Sequence, residues 1–160
     1  DVWTRIVFGI EMIDLQKYNV TKKTILLIED CPAQAKLAQY AFKEMAIPNP
    51  IIHYSNGYQL LEHLNDRGSK DIAFVLLDLN MPEINGMDVL RKIQENHVFR
   101  SLPVLVYSSS GYEDDIEECY ALGAKAYIRK PMDYFRFKEI LQKTYDFWVG
   151  ENMQPATISF

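Results

Sequence analysis

Five side chains that could bind a cation or a phosphoryl group stand where apolar runs of the sequence end. Glu29 and Asp30 follow the run TILLI, and Asp78 follows the run AFVLL. Ser108 ends the run PVLVYS, and Lys130 follows AKAYIR. Three carboxylates held close together repel one another and resist full ionisation. One ammonium group and one divalent cation would together balance their charge.

The chemistry that this set of groups favours is phosphoryl transfer. Oxygen ligands with positions left for water and phosphate oxygens suit Mg²⁺. An ionised aspartate beside such an ion can attack a phosphoryl group and form an aspartyl phosphate. The metal and the lysine then stabilise the charge on the transferring oxygens.

The elements that must position these groups are five apolar runs, each followed by an amphipathic segment. The strands are predicted in TILLIED, IIHYS, AFVLLDL, PVLVYSSS and AKAYIRKP. Helices are predicted from Pro32 to the residues before Pro48, after Asn56-Gly57, around Val89-Leu90, in DDIEECYAL and in FKEILQKTYDFWV. Five such units predict an α/β fold, a parallel sheet with helices on both faces. Ligands of these sheets bind at the carboxyl ends of the strands.

Composition bounds the class of protein. The chain has 160 residues, 48% of them hydrophobic, which suits one domain with short extensions. A formal net charge of −5 argues against non-specific binding to nucleic acid or to an anionic membrane. Cys31 and Cys119 form no C-x-x-C motif, and no apolar run approaches the roughly 20 residues of a membrane span. We therefore expect a cytoplasmic location.

The chain divides into an N-terminal extension of unknown role (1–21), a domain (22–149) and a loose C-terminal tail (150–160). The extension contains the short apolar run IVFGI, but Glu11 and Asp14 follow closely, unlike a signal peptide. Its apolar residues fall at helical spacing, so a short helix or strand packed on the domain or on a partner is favoured. The sequence begins at Asp1 rather than Met and leaves open what precedes it.

The segments TILLIEDCP, VLLDLNMPEINGMDVL, LPVLVYSSS and ALGAKAYIRKP resemble the receiver domain of bacterial two-component response regulators. The resemblance covers about Thr24 to Val149. It implies a flavodoxin-like, doubly wound (βα)5 three-layer sandwich with strand order 2-1-3-4-5. It also implies a phosphorelay in which a sensor histidine kinase is the donor and the domain catalyses only its own phosphorylation and dephosphorylation. The chain is thus expected to be a switch and not an enzyme.

The same resemblance assigns the acceptor and the metal ligands. Asp78 is similar to the phosphoacceptor. Asp30 and Glu29 match the acidic pair that handles Mg²⁺, Asp30 directly and Glu29 through water. Asn80 matches the position whose backbone carbonyl completes the metal shell. The pair is Glu-Asp here rather than Asp-Asp, which should preserve metal binding.

The resemblance also assigns a switch. Ser108 is similar to the hydroxyl that binds the phosphoryl oxygen, and Tyr127 occupies the position of the aromatic residue that swings inward with it. Lys130 matches the family's lysine, and its bond to Pro131 is expected to be cis. Ser110 and Asn80, each two positions after a site residue, are expected to tune self-dephosphorylation.

Other interpretations of these residues remain open. Asp78 could cap a loop, Tyr127 could be plain core packing, and Ser108 could be an ordinary loop hydroxyl. A haloacid-dehalogenase-type phosphatase would need a second carboxylate where Asn80 stands, and a flavodoxin would need a phosphate-cradling loop in place of Glu-Asp-Cys-Pro. A binding module that has lost phosphorylation is a third alternative.

The output of such a domain is expected to be protein contact. Too few residues follow Val149 for a DNA-binding domain, so we expect a stand-alone regulator with a downstream protein target, bound neither to DNA nor to membrane. The motif DDIxxCY and the closing Phe147-Trp148 resemble small regulators that partner bacterial phytochrome kinases. A homodimer through the fourth strand, the fifth strand and the last helix is predicted.

Overall fold

The computed structural model describes residues 23–150, so the predictions for residues 1–21 and 151–160 lie outside the described residues. Strands and helices alternate throughout this range, as the sequence predicts. The strands are β1 (Thr24–Ile28), β2 (Ile51–Tyr54), β3 (Ile72–Leu77), β4 (Val104–Ser108) and β5 (Ala126–Arg129). The helices are α1 (Pro32–Glu44), α2 (Gly57–Arg67), α3 (Gly86–Glu95), α4 (Glu113–Ala121) and α5 (Tyr134–Tyr145), which a π-helical turn (Asp146–Gly150) extends.

The five strands form one parallel sheet in the order β2-β1-β3-β4-β5. This confirms the doubly wound fold and its strand order. The direction of winding reverses at β1 and β3, the two central strands from which the predicted carboxylates follow. The carboxyl ends of these strands form the switch point where ligands of such sheets bind.

The strands alternate their side chains between two apolar layers. One layer lies against α1 and α5, and includes Ile25, Leu27, Phe74, Leu76, Leu105, Tyr107, Ala38, Ala41, Phe42, Phe137 and Leu141. The other lies against α2, α3 and α4, and includes Leu26, Ile28, Val75, Leu77, Val104, Val106, Leu60, Leu64, Val89, Leu90, Ile93 and Cys119. Because both faces of the sheet are covered, the central strand β3 is apolar and buried along its whole length.

Local side-chain hydrogen bonds mark the starts of α2, α3 and α5. Each of these helices has an N-cap side chain that accepts a hydrogen bond from the backbone N–H three residues later in the chain. The N-cap residues are Asn56, Asn85 and Asp133. With Asp133 as its N-cap, α5 begins at Tyr134, three residues before the predicted segment, which begins at Phe137. Phe137 and Leu141 are the buried residues of α5, whereas Ile140, Thr144 and Tyr145 on the same helix are only partly buried. Within residues 23–150, no helix is long and apolar enough to cross a membrane.

The predicted cis bond between Lys130 and Pro131 is wrong. This bond is trans, and residues 23–150 contain no cis peptide bond. The two isomers of a bond before proline differ intrinsically by only about 0.5–1 kcal/mol, so the sequence alone could not choose between them.

Gly86 lets α3 start directly against the segment that follows β3. Its N–H donates to the carbonyl of Leu79 at 2.9 Å. A Cβ at this position would lie 2.5 Å from the carbonyl oxygen of Asp78 and 2.7 Å from the Cα of Leu79. Both atoms belong to the backbone, so the segment that holds Asp78 would have to move to admit a side chain.

We expect Gly86→Ala to lower the free energy of unfolding by about 1–3 kcal/mol in urea titrations, because the added methyl overpacks fixed backbone. Gly111→Ala is the matched control, since its Cβ would meet only the flexible end of Arg129, at 2.9 Å or more. Equal stability of the two variants would contradict the close approach at Gly86.

Candidate metal and phosphoryl site

The sheet register brings the three predicted carboxylates together. Ile28 pairs with Leu77, and the N–H of Asp78 donates to the Ile28 carbonyl at 3.0 Å. The residues that follow these strands are therefore neighbours. One carboxylate oxygen from each of Glu29, Asp30 and Asp78 lies within 4.8 Å of the other two.

This donor set fits Mg²⁺. The ion prefers oxygen ligands at about 2.1 Å, so two ligands on opposite sides of it lie about 4.2 Å apart. The three carboxylate oxygens, within 4.8 Å of one another, are close enough for one ion to be bound directly by some of them and through water by another. Asp30 is partly exposed, whereas Glu29 and Asp78 are buried, which leaves an open side for water or a phosphoryl group.

Burial makes the acidic cluster electrostatically costly. Glu29 is 2% exposed and Asp78 is 4% exposed. Burial raises the pKa of Glu29 above its usual value, and the nearby Asp78 raises this pKa further. The hydrogen bond from Lys130 acts in the opposite direction and favours the ionised form.

Lys130 bridges the two buried acids. Its Nζ lies 2.8 Å from Glu29 Oε2 and 3.3 Å from Asp78 Oδ2. Nζ also donates to the Gln34 side chain and lies 5.0 Å from the centre of the Tyr107 ring. The backbone N–H of Lys130 donates to the Ser108 carbonyl at 2.8 Å, so the β4–β5 pairing determines where the lysine leaves the sheet.

Ser108 is fully buried and lies on the β4 side of the site. Its hydroxyl oxygen accepts the N–H of Ser110 at 3.2 Å and the side-chain amide of Asn80 at 3.4 Å. The backbone N–H of Asn80 donates to Asp78 Oδ1 at 3.3 Å. Asn80 thus connects the predicted acceptor to the predicted switch hydroxyl, while the role of its carbonyl as a metal ligand stays a prediction.

Tyr127 contacts the loop that follows Ser108. It is partly buried, and its hydroxyl donates to the Ser110 carbonyl at 3.0 Å. The hydroxyl of Ser110 donates in turn to Asp115 on α4. A movement of this loop toward the acids would therefore change the contacts of Tyr127.

Sequence reasoning missed two neighbours of Lys130. Gln34 lies in the first turn of α1, the helix that begins shortly after Glu29 and Asp30. Its position near the carboxyl edge of the sheet could have been predicted from the sequence. Tyr107 precedes Ser108 on β4, so strand alternation sends its ring to the opposite face of the sheet. The contact between that ring and Lys130 depends on the path of the lysine side chain, which no sequence pattern specifies.

Comparison with known proteins finds one family. The model of the response regulator receiver domain matches residues 25–142. The response regulator Rcp1 of Synechocystis sp. is 30% identical over 138 residues, which cover 84% of this chain and 94% of Rcp1. The probable methanogenesis regulatory protein FilR2 of Methanothrix harundinacea is 31% identical over 135 residues, which cover 82% of this chain and 87% of FilR2.

Solved structures agree with the sequence comparison. The Mn²⁺-bound form of Rcp1 has a TM-score of 0.75 and 31% identity, and the match covers 84% of this chain and 99% of that one. The phosphorylated cyanobacterial phytochrome response regulator RcpA has a TM-score of 0.72 and 30% identity. That match covers 79% of this chain and 93% of the RcpA chain. The chain therefore belongs to the response regulator receiver domain family of two-component signalling.

Proposed function

We propose that a histidine kinase phosphorylates this receiver domain on Asp78 in a Mg²⁺-dependent reaction. The observation that carries the proposal is the bridge from Lys130 to both Glu29 and Asp78, beside the third carboxylate, Asp30. The metal-bound form of Rcp1 and the phosphorylated form of RcpA support both parts of it.

In the reaction, a carboxylate oxygen of Asp78 attacks the phosphorus of a phosphohistidine. The new P–O bond forms as the P–N bond breaks, and the imidazole leaves with the electron pair of that bond. Asp30, Asp78, the Asn80 carbonyl and, through water, Glu29 would hold Mg²⁺, which would supply positive charge to the transferring oxygens. Lys130 supplies the other positive charge from its position 3.3 Å from Asp78 Oδ2.

The switch uses Ser108 and Tyr127. In the unphosphorylated structure, the Ser108 hydroxyl oxygen accepts hydrogen bonds from Asn80 and Ser110. A phosphoryl group on Asp78 offers this hydroxyl a charged acceptor to which it can donate. Movement of Ser108 toward that acceptor shifts the Ser110 carbonyl and releases the hydroxyl of Tyr127. Tyr127 then turns inward, and the surface beside β5 changes.

The rival phosphatase finds little support in this geometry. An acid/base catalyst would stand two positions after Asp78, where Asn80 has an amide that donates to Ser108. We therefore infer that residues 22–149 act as a cytoplasmic signalling domain that catalyses only its own phosphorylation and dephosphorylation. Its kinase is of the phytochrome type, by analogy with RcpA, and its target is a protein.

The domain forms a homodimer through β4, β5 and α5. Met132, between β5 and α5, is 104% exposed, and Phe135, in the first turn of α5, is 84% exposed. Arg129 and Arg136, with Met132, line a cavity of about 640 Å³. The first turn of α4 carries Glu113, Asp114 and Asp115. A second copy can thus offer acids to the arginines while the apolar side chains are buried together.

Acetyl phosphate with Mg²⁺ should add the mass of one phosphoryl group to the intact protein in mass spectrometry. Asp78→Asn should abolish the adduct, because an amide cannot attack phosphorus, and chelation of Mg²⁺ should do the same. Asp66→Asn, an exposed carboxylate on α2, is the control and should phosphorylate normally. An adduct that survives in Asp78→Asn would contradict the proposed acceptor.

Light scattering should give the mass of a dimer for the wild-type protein. Met132→Asp/Phe135→Asp should be monomeric, because it places charge in the apolar centre of the interface. Val98→Asp, equally apolar and 56% exposed but distant from this surface, should remain dimeric. A monomeric wild-type protein, with and without beryllofluoride, would refute the dimer.

A further inference from the structure

Within residues 23–150, Tyr107 is the aromatic side chain whose ring face lies within cation–π range of the Lys130 ammonium group. It lies on β4 directly before Ser108, and the Lys130 Nζ lies 5.0 Å from its ring centre. This distance is inside the roughly 6 Å within which an aromatic face attracts an ammonium group. The role proposed above for Lys130 does not use this contact.

The ring itself is firmly held. Tyr107 is 8% exposed and stacks on Phe137 of α5, with ring centres 5.4 Å apart and an interplanar angle of 29°. Tyr107 pairs with Ile128 in the parallel ladder between β4 and β5, two residues before Lys130. Sheet register and core packing together therefore fix the ring beside the lysine.

The other partners of Lys130 change their charge or interactions during the proposed reaction, or are exposed to solvent. Glu29 and Asp78 belong to the proposed metal and acceptor site, so their charge is shared with the cation and then with the phosphoryl group. Gln34 is exposed on α1. The face of Tyr107 is neutral and buried, and keeps its attraction for the ammonium group when the acids change partners.

We infer that Tyr107 is a positioning residue, which holds the Lys130 ammonium group toward Asp78 through a cation–π contact. This inference rests on the proposed phosphoryl transfer and adds a residue that acts through Lys130 without touching the phosphoryl group. An aliphatic residue of similar volume would fill the core but would leave the ammonium group without this attraction.

The Tyr107 phenol stays protonated throughout the working range of pH. Burial raises its pKa, and the nearby Glu29 and Asp78 raise it further. The group that faces Lys130 is therefore an uncharged ring, and its contribution should not change with pH near neutrality.

Nuclear magnetic resonance of the free protein tests the contact without metal or donor. Protons above the face of an aromatic ring are shielded, so the ε-methylene protons of Lys130 should resonate upfield of the random-coil value. Tyr107→Phe should keep this shift, and Tyr107→Leu should abolish it. A random-coil shift for Lys130 in the wild-type protein would overturn the inference.

Kinetics with acetyl phosphate test the consequence. Tyr107→Leu should lower the second-order rate constant of phosphorylation by about two- to tenfold, the range expected for loss of one such contact. Tyr107→Phe should restore a rate within about twofold of wild type, because the ring is what attracts the ammonium group. Phe99→Leu, a buried aromatic in the other apolar layer, controls for general loss of stability.

The outcomes separate this inference from the proposed function. A wild-type protein that forms no adduct defeats the phosphoryl transfer itself, whatever the variants do. A wild-type protein that reacts while Tyr107→Leu reacts equally fast defeats only the positioning role. Equal slowing of Tyr107→Leu and Phe99→Leu also defeats it, since stability would then explain both rates.

Discussion

Repulsion among three carboxylates is the constraint on which this structure depends. Glu29, Asp30 and Asp78 follow adjacent central strands. The sheet register holds these carboxylates together even though their negative charges repel one another. One ammonium group, that of Lys130, offsets part of the charge. The remaining negative charge, with burial that already raises the pKa of Glu29, is the electrostatic basis of the proposed binding of a divalent cation and then of a phosphoryl group.

The rest of the fold serves this arrangement by fixing where strands end. Two apolar layers bury the sheet on both faces and leave its polar groups at the carboxyl edge. β4 contributes to both faces, with Ser108 directed toward Asn80 and Tyr107 toward Lys130. One strand thus connects the hydroxyl of the proposed switch with the lysine of the proposed reaction.

Most of the fold could be predicted because apolar runs, caps and strand-end polar residues are local signals. Glu29, Asp30, Asp78 and Lys130 were predicted to meet because parallel strands share one carboxyl edge, and they do meet. The isomer of the bond before Pro131 could not be predicted, since its two forms differ little in energy. Nor could the contact of Tyr107, which depends on the path of a long, flexible side chain.

Binding of Mn²⁺, a paramagnetic substitute for Mg²⁺, tests the central claim most directly. Substoichiometric Mn²⁺ should broaden the amide resonances of residues 29–31 and 78–80 first, because the acids at the ends of β1 and β3 converge on one ion. Excess Mg²⁺ should restore these signals. Broadening centred instead on the acidic first turn of α4, at Glu113 to Asp115, or no selective broadening at all, would contradict the account.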